Sequence, residues 1–185
     1  MKSKIPEWLR LAQSKWTYRG QERPAFALEP GVGEDSVWDY PRPPALQADT
    51  RRVVVKVGAR LIADSTNTIR VLETASPPTI YIPPADIDFS LLAEASGSSM
   101  CEWKGPARYF RLAGQKRGRD VVGWSYPKPF AGFEAIADYL SFYPAKLECY
   151  IDNQRVRPQP GGFYGGWVTS EIIGPFKGEP GTGGW

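Results

Sequence analysis

Prolines and glycines are spread along almost the whole chain, and their spacing limits how long any regular element can be. The 185 residues include 18 prolines and 19 glycines. Proline lacks the backbone N–H that helices and inner strands need, and glycine favours turns, so this spacing predicts short strands joined by tight turns. We expect a mainly β fold with one helix, built as a small barrel or as curled antiparallel sheets.

The pattern of apolar residues predicts where the strands and the helix lie. Residues 130–142 carry apolar side chains at three- and four-residue spacing between Pro129 and Pro144, which predicts one clear helix. Pro77 and Pro78 are expected to interrupt the chain between two strands. The predicted strands are 52–57, 60–63, 69–73, 79–82, 100–104, 107–112, 121–126, 147–151 and 154–157.

Composition divides the chain into three predicted parts. Residues 1–50 form an arm rich in proline and aromatic residues, with some helical character over 7–18. Residues 51–158 form the core β domain. Residues 159–185 combine glycine with bulky aromatics, whereas a flexible linker would combine glycine with serine. We therefore expect this tail to pack on the core domain.

The sequence contains no histidine, and this absence excludes several chemistries. A Ser-His-Asp triad, a Cys-His pair and a histidine-ligated metal are all ruled out. The two cysteines cannot complete a structural zinc site within one chain. We expect no metal and no cofactor, so acid–base chemistry would fall to Glu, Asp, Lys, Tyr or Cys.

Charge and hydropathy restrict the partners and the compartment. The net charge of +3 is too small to indicate nucleic acid. The densest basic cluster, Lys116, Arg117 and Arg119, favours a solvated hairpin tip over an anion contact. No apolar stretch is long enough for a membrane span, and no signal peptide is visible. Together with two cysteines, these features predict a cytoplasmic protein with free thiols.

The segment Cys101-Glu102-Trp103-Lys104 concentrates a thiol, a carboxylate, an indole and an amine, with Tyr109 shortly after it. On a strand, Cys101 and Trp103 would share one face, and Glu102 and Lys104 would share the other. Two of these four side chains are expected to face a pocket. Glu102 and Lys104 would then form a polar-ligand site or an acid–base pair, or else an exposed salt bridge.

Cys101 admits two further interpretations. It is a candidate nucleophile if Lys104 lowers its pKa, although strand alternation separates the two side chains. The interpretation that we favour is a buried structural thiol. A redox pair of Cys101 with Cys149 is a weaker alternative, because Cys149 lies in a predicted core strand.

Several aromatic residues are candidates for the lining of a cleft. Aromatic side chains bind flat or cationic molecules by stacking and cation–π contact, but they also form the core of small β domains. The core accounts for most of this set, and a cleft would use two or three of its members. The candidates are Trp38, Tyr40, Trp103, Trp124, Tyr126 and Trp167.

Eight short phrases occur together in a fixed order: SVWDYPRPP at 36–44, IADS at 62–65, PPT at 77–79, CEWKG at 101–105, WSYP at 124–127, FYP at 142–144, GGFYGGW at 161–167 and GPFKG at 174–178. With them the chain resembles, over nearly its whole length, the bacterial and fungal family called domain of unknown function 427. The resemblance implies an Mss4-like, mainly β fold with one helix. Members of that fold group often carry zinc on paired cysteines, which this chain lacks. Some classifications label the family nucleotidyltransferase-like, but the carboxylate pair Asp86 and Asp88 has no phosphate loop before it.

These observations favour a protein that binds a small polar or aromatic molecule. The pocket would be lined by Glu102, Trp103, Lys104, Tyr109 and their neighbours. One alternative is an enzyme that uses Cys101 thiol chemistry or acid–base chemistry of Glu102 and Lys104. Another is a protein-interaction module, in which the arm and the tail supply the contact surface of a homodimer.

Overall fold

The computed structural model describes residues 5–115 and 120–185. The basic cluster at 116–119 lies outside the described residues. Within them there is one α-helix, α1 (Glu7–Ser14), and 3-10 turns at Val37–Asp39, Pro84–Asp86, Phe89–Leu91 and Glu134–Ile136. The strands are β1 (Asp35–Ser36), β2 (Ala45–Asp49), β3 (Val53–Val57), β4 (Arg60–Ser65), β5 (Thr68–Glu73), β6 (Ser76–Tyr81), β7 (Leu92–Cys101), β8 (Gly105–Leu112), β9 (Gly123–Ser125), β10 (Leu140–Phe142), β11 (Glu148–Ile151), β12 (Gln154–Arg155), β13 (Arg157–Pro158), β14 (Trp167–Val168) and β15 (Ile172–Ile173).

Three antiparallel sheets form the body of the protein. Their strand orders are β10-β9-β8-β7, β12-β11-β3-β4 and β2-β5-β6. Two short pairs complete the fold, the parallel pair β1-β15 and the antiparallel pair β13-β14. None of the described sheets closes into a barrel, so the prediction of a mainly β fold with curled antiparallel sheets is confirmed.

The sheets pack around one large apolar core and two smaller clusters. The large core joins side chains from β3, β4, β6, β8 and β10 with Trp167 of the tail. Burial of these apolar side chains supplies the main driving force for folding. A second cluster, around Tyr81 and Trp124, lies next to the cavity described below. A third, around Trp38 and Tyr40, joins the arm to the tail.

The prediction of a helix at 130–142 is wrong. The segment instead forms one 3-10 turn and then strand β10, which pairs with β9. Phe130, Phe133 and Ile136 are all buried. Their three-residue spacing fits consecutive tight turns with three residues per turn, so it resembles one face of a longer helix.

The expected break at Pro77 and Pro78 is also wrong, because both prolines lie inside β6. Strand β6 is at the edge of its sheet, where the missing N–H of proline removes no ladder hydrogen bond. The prediction of a short strand at 79–82 therefore located the end of a longer strand.

The arm and the tail contact one another as well as the body. Strand β1 of the arm pairs with β15 of the tail, and the Trp38 ring lies 5.2 Å from the Trp185 ring. Helix α1 has eight residues, and no described helix has the length and apolar character needed to cross a bilayer.

Candidate functional site

A cavity of about 860 Å³ lies between the sheet containing β5 and β6 and the sheet containing β7, β8 and β9. Some of the residues that face it are two apart on one strand, in agreement with the two-residue period of a strand. They include Val71 and Glu73 of β5, and Thr79 and Tyr81 of β6. Eight aromatic side chains line the cavity: Trp16, Tyr81, Tyr109, Trp124, Tyr126, Tyr143, Phe163 and Tyr164.

The segment 101–104 reaches the cavity through a turn instead of a strand. Strand β7 ends at Cys101, and residues 102–104 form the turn that leads into β8. The backbone N–H of Lys104 donates to Cys101 Sγ at 3.5 Å. The predicted strand alternation is therefore wrong. Cys101, Glu102 and Lys104 all line the cavity, while Trp103 packs in the cluster around Tyr81 and Trp124.

Lys104 is at the centre of the buried charges. Its side chain is only 9% exposed, and its Nζ lies 3.7 Å from Oε2 of Glu73. The other oxygen of Glu73 accepts from Nε of Arg42 at 3.3 Å. Glu73 is thus shared between two cations. The ion pair predicted between Glu102 and Lys104 is replaced by this pairing with Glu73.

Glu102 has a different role, because it holds the end of the arm's helical segment against the cavity. Its carboxylate accepts from Nε1 of Trp16 at 2.9 Å, and its backbone oxygen accepts from Nε2 of Gln13 at 2.6 Å. The Trp16 ring also contacts two cations. Lys177 Nζ lies 3.6 Å from its centroid, and the Arg42 guanidinium lies 4.3 Å from it.

Another part of the lining presents hydroxyl groups and rings. Trp124 Nε1 donates to the Tyr81 hydroxyl at 3.0 Å, and Tyr109 donates to the Ser99 hydroxyl at 2.6 Å. Trp124 also packs against Tyr143, with 4.6 Å between ring centroids. These contacts fix the rings in one arrangement, which suits them to bind a flat molecule.

The tail contributes one side of the cavity through residues 162–165. Phe163 lies at the edge of the cavity and is 76% exposed. Gly165 lies so close to the edge of Trp124 that an added Cβ would come within 2.2 Å of the ring. Only a residue without a side chain allows the tail to approach Trp124 this closely.

Burial shifts the pKa values around the cavity. Burial raises the pKa of Cys101, and the nearby charge of Lys104 opposes this shift only in part. The neutral thiol is therefore favoured. Burial also raises the pKa of Tyr81 to about 12. Burial alone would lower the pKa of Lys104, but the interactions with Cys101 and Glu73 outweigh it and raise that pKa. Burial and the charge of Arg42 lower the pKa of Lys177 to about 8.

Among the predicted site residues, the cavity brings together Cys101, Glu102, Lys104, Tyr109, Trp124 and Tyr126. Trp38 and Tyr40 lie in the arm–tail cluster, apart from the described lining. Trp103 is buried behind the lining, and its Nε1 has no hydrogen-bond partner among the described residues. Cys149 lies in the large core, a different cluster from that of Cys101, and both cysteines are free.

Sequence reasoning missed the partners that come from distant segments. Glu73, Arg42, Trp16 and Lys177 belong to β5, the arm and the tail. A charged residue at 73, two positions after an inward-facing valine in a predicted strand, was a usable signal. No local pattern connects the other three to Lys104.

The carboxylates considered for metal binding have structural partners. Asp86 accepts from the Ser65 hydroxyl at 2.6 Å, and Asp88 caps the 3-10 turn that contains Ser90. Over residues 5–115 and 120–185, no group of three or more Cys, Asp or Glu residues is arranged to hold a metal ion.

Comparison with known proteins identifies the family and leaves the function open. No curated protein matches the chain. The model of one protein family, described as a domain of unknown function (DUF427), matches residues 45–153. The match runs from β2 through β11 and covers more than half of the chain. It includes the β5–β6 and β7–β9 walls of the cavity, so the chain belongs to the DUF427 family.

Proposed function

We propose that this protein binds a small organic molecule with a flat, apolar body and a polar group in the cavity between its sheets. The observation that carries the proposal is the combination of eight aromatic side chains with the ion pair of Lys104 and Glu73, which joins the two walls. A volume of about 860 Å³ is in the range of small-molecule sites. Charges at the wall of an aromatic cavity are typical of a site that orients a polar group of its ligand.

The enzyme alternative is favoured by one observation, the position of Cys101 beside Lys104 in the cavity. A nucleophilic cysteine acts as its thiolate. Because burial raises the pKa of Cys101, the thiol form dominates at neutral pH. Binding is therefore the better-supported function, and the two free cysteines suit a protein of the cytoplasm.

A variant that fills the cavity tests the proposal. Ala107 of β8 lines the cavity, and Ala107→Phe would place a ring inside it. The matched control is Ala131→Phe, at an exposed turn position outside the described lining. Native mass spectrometry of protein purified gently from its host should show an added mass on the wild type and on the control. The added mass should be absent from Ala107→Phe.

Two results would count against the proposal. One is a wild-type protein that carries no added mass and binds no member of an aromatic fragment set. The other is a bound mass of equal occupancy in Ala107→Phe, which would place the ligand elsewhere. Circular dichroism of each variant establishes that the fold is intact.

A further inference from the structure

The side chain of Lys104 is only 9% exposed, its ammonium group borders the cavity, and that group is short of partners. An ammonium group has three hydrogens to donate. The contact with Glu73, at 3.7 Å, is longer than a hydrogen bond. Among the described residues, Lys104 Nζ makes no hydrogen bond, although little of the side chain is exposed. Such a group favours an added acceptor, because buried donors without acceptors are costly.

Both acceptors and donors lie near Lys104. Tyr81 interacts electrostatically with Lys104, and its hydroxyl oxygen already accepts the indole N–H of Trp124. Its own hydrogen is therefore the part left to donate. The acceptors near Lys104 are Glu73, whose carboxylate is 3.7 Å from Nζ, and Cys101 Sγ, which already accepts the backbone N–H of Lys104. An acceptor within hydrogen-bonding distance of Nζ would therefore have to come from a ligand.

The cations of the site outnumber its carboxylates. Arg42, Lys104 and Lys177 interact with the carboxylates of Glu73 and Glu102. Lys146, an exposed lysine at the edge of the cavity, adds a further positive charge. An anionic ligand would reduce this positive excess.

We propose that the ligand is an aromatic carboxylate, whose carboxylate group accepts hydrogen bonds from the ammonium group of Lys104 while its ring lies beside Trp124. The inference rests on the proposed function and narrows it to one class of molecule. A carboxylate supplies charged acceptor oxygens, which suit the free hydrogens of the Lys104 ammonium group and the positive excess of the site. The aromatic lining supplies the apolar surface that the ring needs.

The test compares acids with their uncharged amides. Indole-3-acetate and 2-naphthoate, each paired with its primary amide, are titrated into the wild type, Lys104→Met and Lys146→Met by calorimetry. Lys146 is an exposed lysine at the edge of the same cavity, so it controls for general charge. The wild type and Lys146→Met should prefer the acid by about tenfold to a hundredfold, the range of a charge-assisted hydrogen bond. Lys104→Met should bind acid and amide equally and keep the wild-type affinity for the amide.

A second variant gives the opposite effect and does not depend on the folding of Lys104→Met. Glu73→Gln removes a competing carboxylate from Lys104 while keeping the shape of the side chain, so the preference for the acid should increase. Equal binding of acid and amide by the wild type overturns the inference and leaves the proposed function standing. The same holds if the preference persists in Lys104→Met or weakens in Glu73→Gln. Absence of binding by all four probes also overturns the inference, whereas the proposed function is decided by the bound mass and the aromatic fragment set described above.

Discussion

Arg42 holds three separate segments together, and its removal gives the sharpest test of how this fold is stabilised. The side chain is completely buried. Its guanidinium donates to the backbone oxygens of Tyr18 at 3.1 Å, Thr74 at 2.9 Å and Trp185 at 3.0 Å. It also pairs with Glu73 at 3.3 Å. Arg42→Met keeps an unbranched apolar side chain but removes every one of these contacts.

The structure sets the size of the expected loss. Breaking a buried ion pair by removing one partner costs about 3–5 kcal/mol, because the remaining charge loses its compensation. Here Glu73 retains Lys104 at 3.7 Å, which limits that part of the loss. Three backbone carbonyls lose a charged donor as well. We expect a decrease of about 3–4 kcal/mol in the free energy of unfolding, and of about 10 °C in Tm for a chain of this size.

Urea unfolding followed by tryptophan fluorescence and circular dichroism measures this difference. The control is Arg52→Met, since Arg52 forms an ion pair with Asp64 at 2.5 Å while its side chain is 55% exposed. An exposed pair of this kind contributes less than about 1 kcal/mol. A loss below about 1 kcal/mol for Arg42→Met, or equal losses in the two variants, would refute the reasoning.

Three further predictions concern the thiols, the tail and pH. Iodoacetamide should alkylate Cys101 before Cys149, because Cys101 lines the cavity and Cys149 is buried in the core; peptide mass spectrometry gives the order. Gly161→Ala should lower Tm by more than Gly33→Ala. Both glycines have positive φ, but a Cβ at 161 would lie 1.9 Å from a backbone oxygen and one at 33 meets open space. The pKa of Lys177 in the fold, about 8, is below its ordinary value of 10.5, so the unfolded chain binds more protons between these values. Stability should therefore rise from pH 8 to pH 10 in the wild type relative to Lys177→Met, and equal slopes in urea titrations would contradict this.

Strands that are rich in branched apolar residues were predictable from composition. Segments 53–57 and 69–73 are rich in valine, isoleucine or leucine, and both are strands in the structure. The helix at 130–142 failed because a three-residue spacing of buried side chains does not separate a helix from consecutive turns. Strand β10 (Leu140–Phe142) is stabilised by its pairing with β9, which lies outside the segment 130–142. The pattern of apolar residues within that segment does not contain this contact.

The candidate site was predictable only in its contiguous part. Cys101, Glu102 and Lys104 are neighbours in sequence, and all three line the cavity. The two-residue period of a strand predicts the wrong directions for these side chains, because residues 102–104 form a turn. Glu73 reaches Lys104 only through the pairing of β5 with its sheet and the packing of that sheet on the cavity. Such contacts depend on tertiary structure, whereas the sequence indicates only the pairing of Lys104 with its neighbour Glu102.

Stability alone does not account for a lysine at this position. The desolvation of a buried ion pair often exceeds its attraction, and well-packed apolar residues then serve as well or better. Lys104 is buried with one carboxylate at 3.7 Å, while Glu73 already has Arg42 at 3.3 Å. The fold would lose little from an apolar side chain at 104, because Glu73 would stay compensated. The lysine gains most when an acceptor enters the cavity, so its placement supports binding as the function of the site.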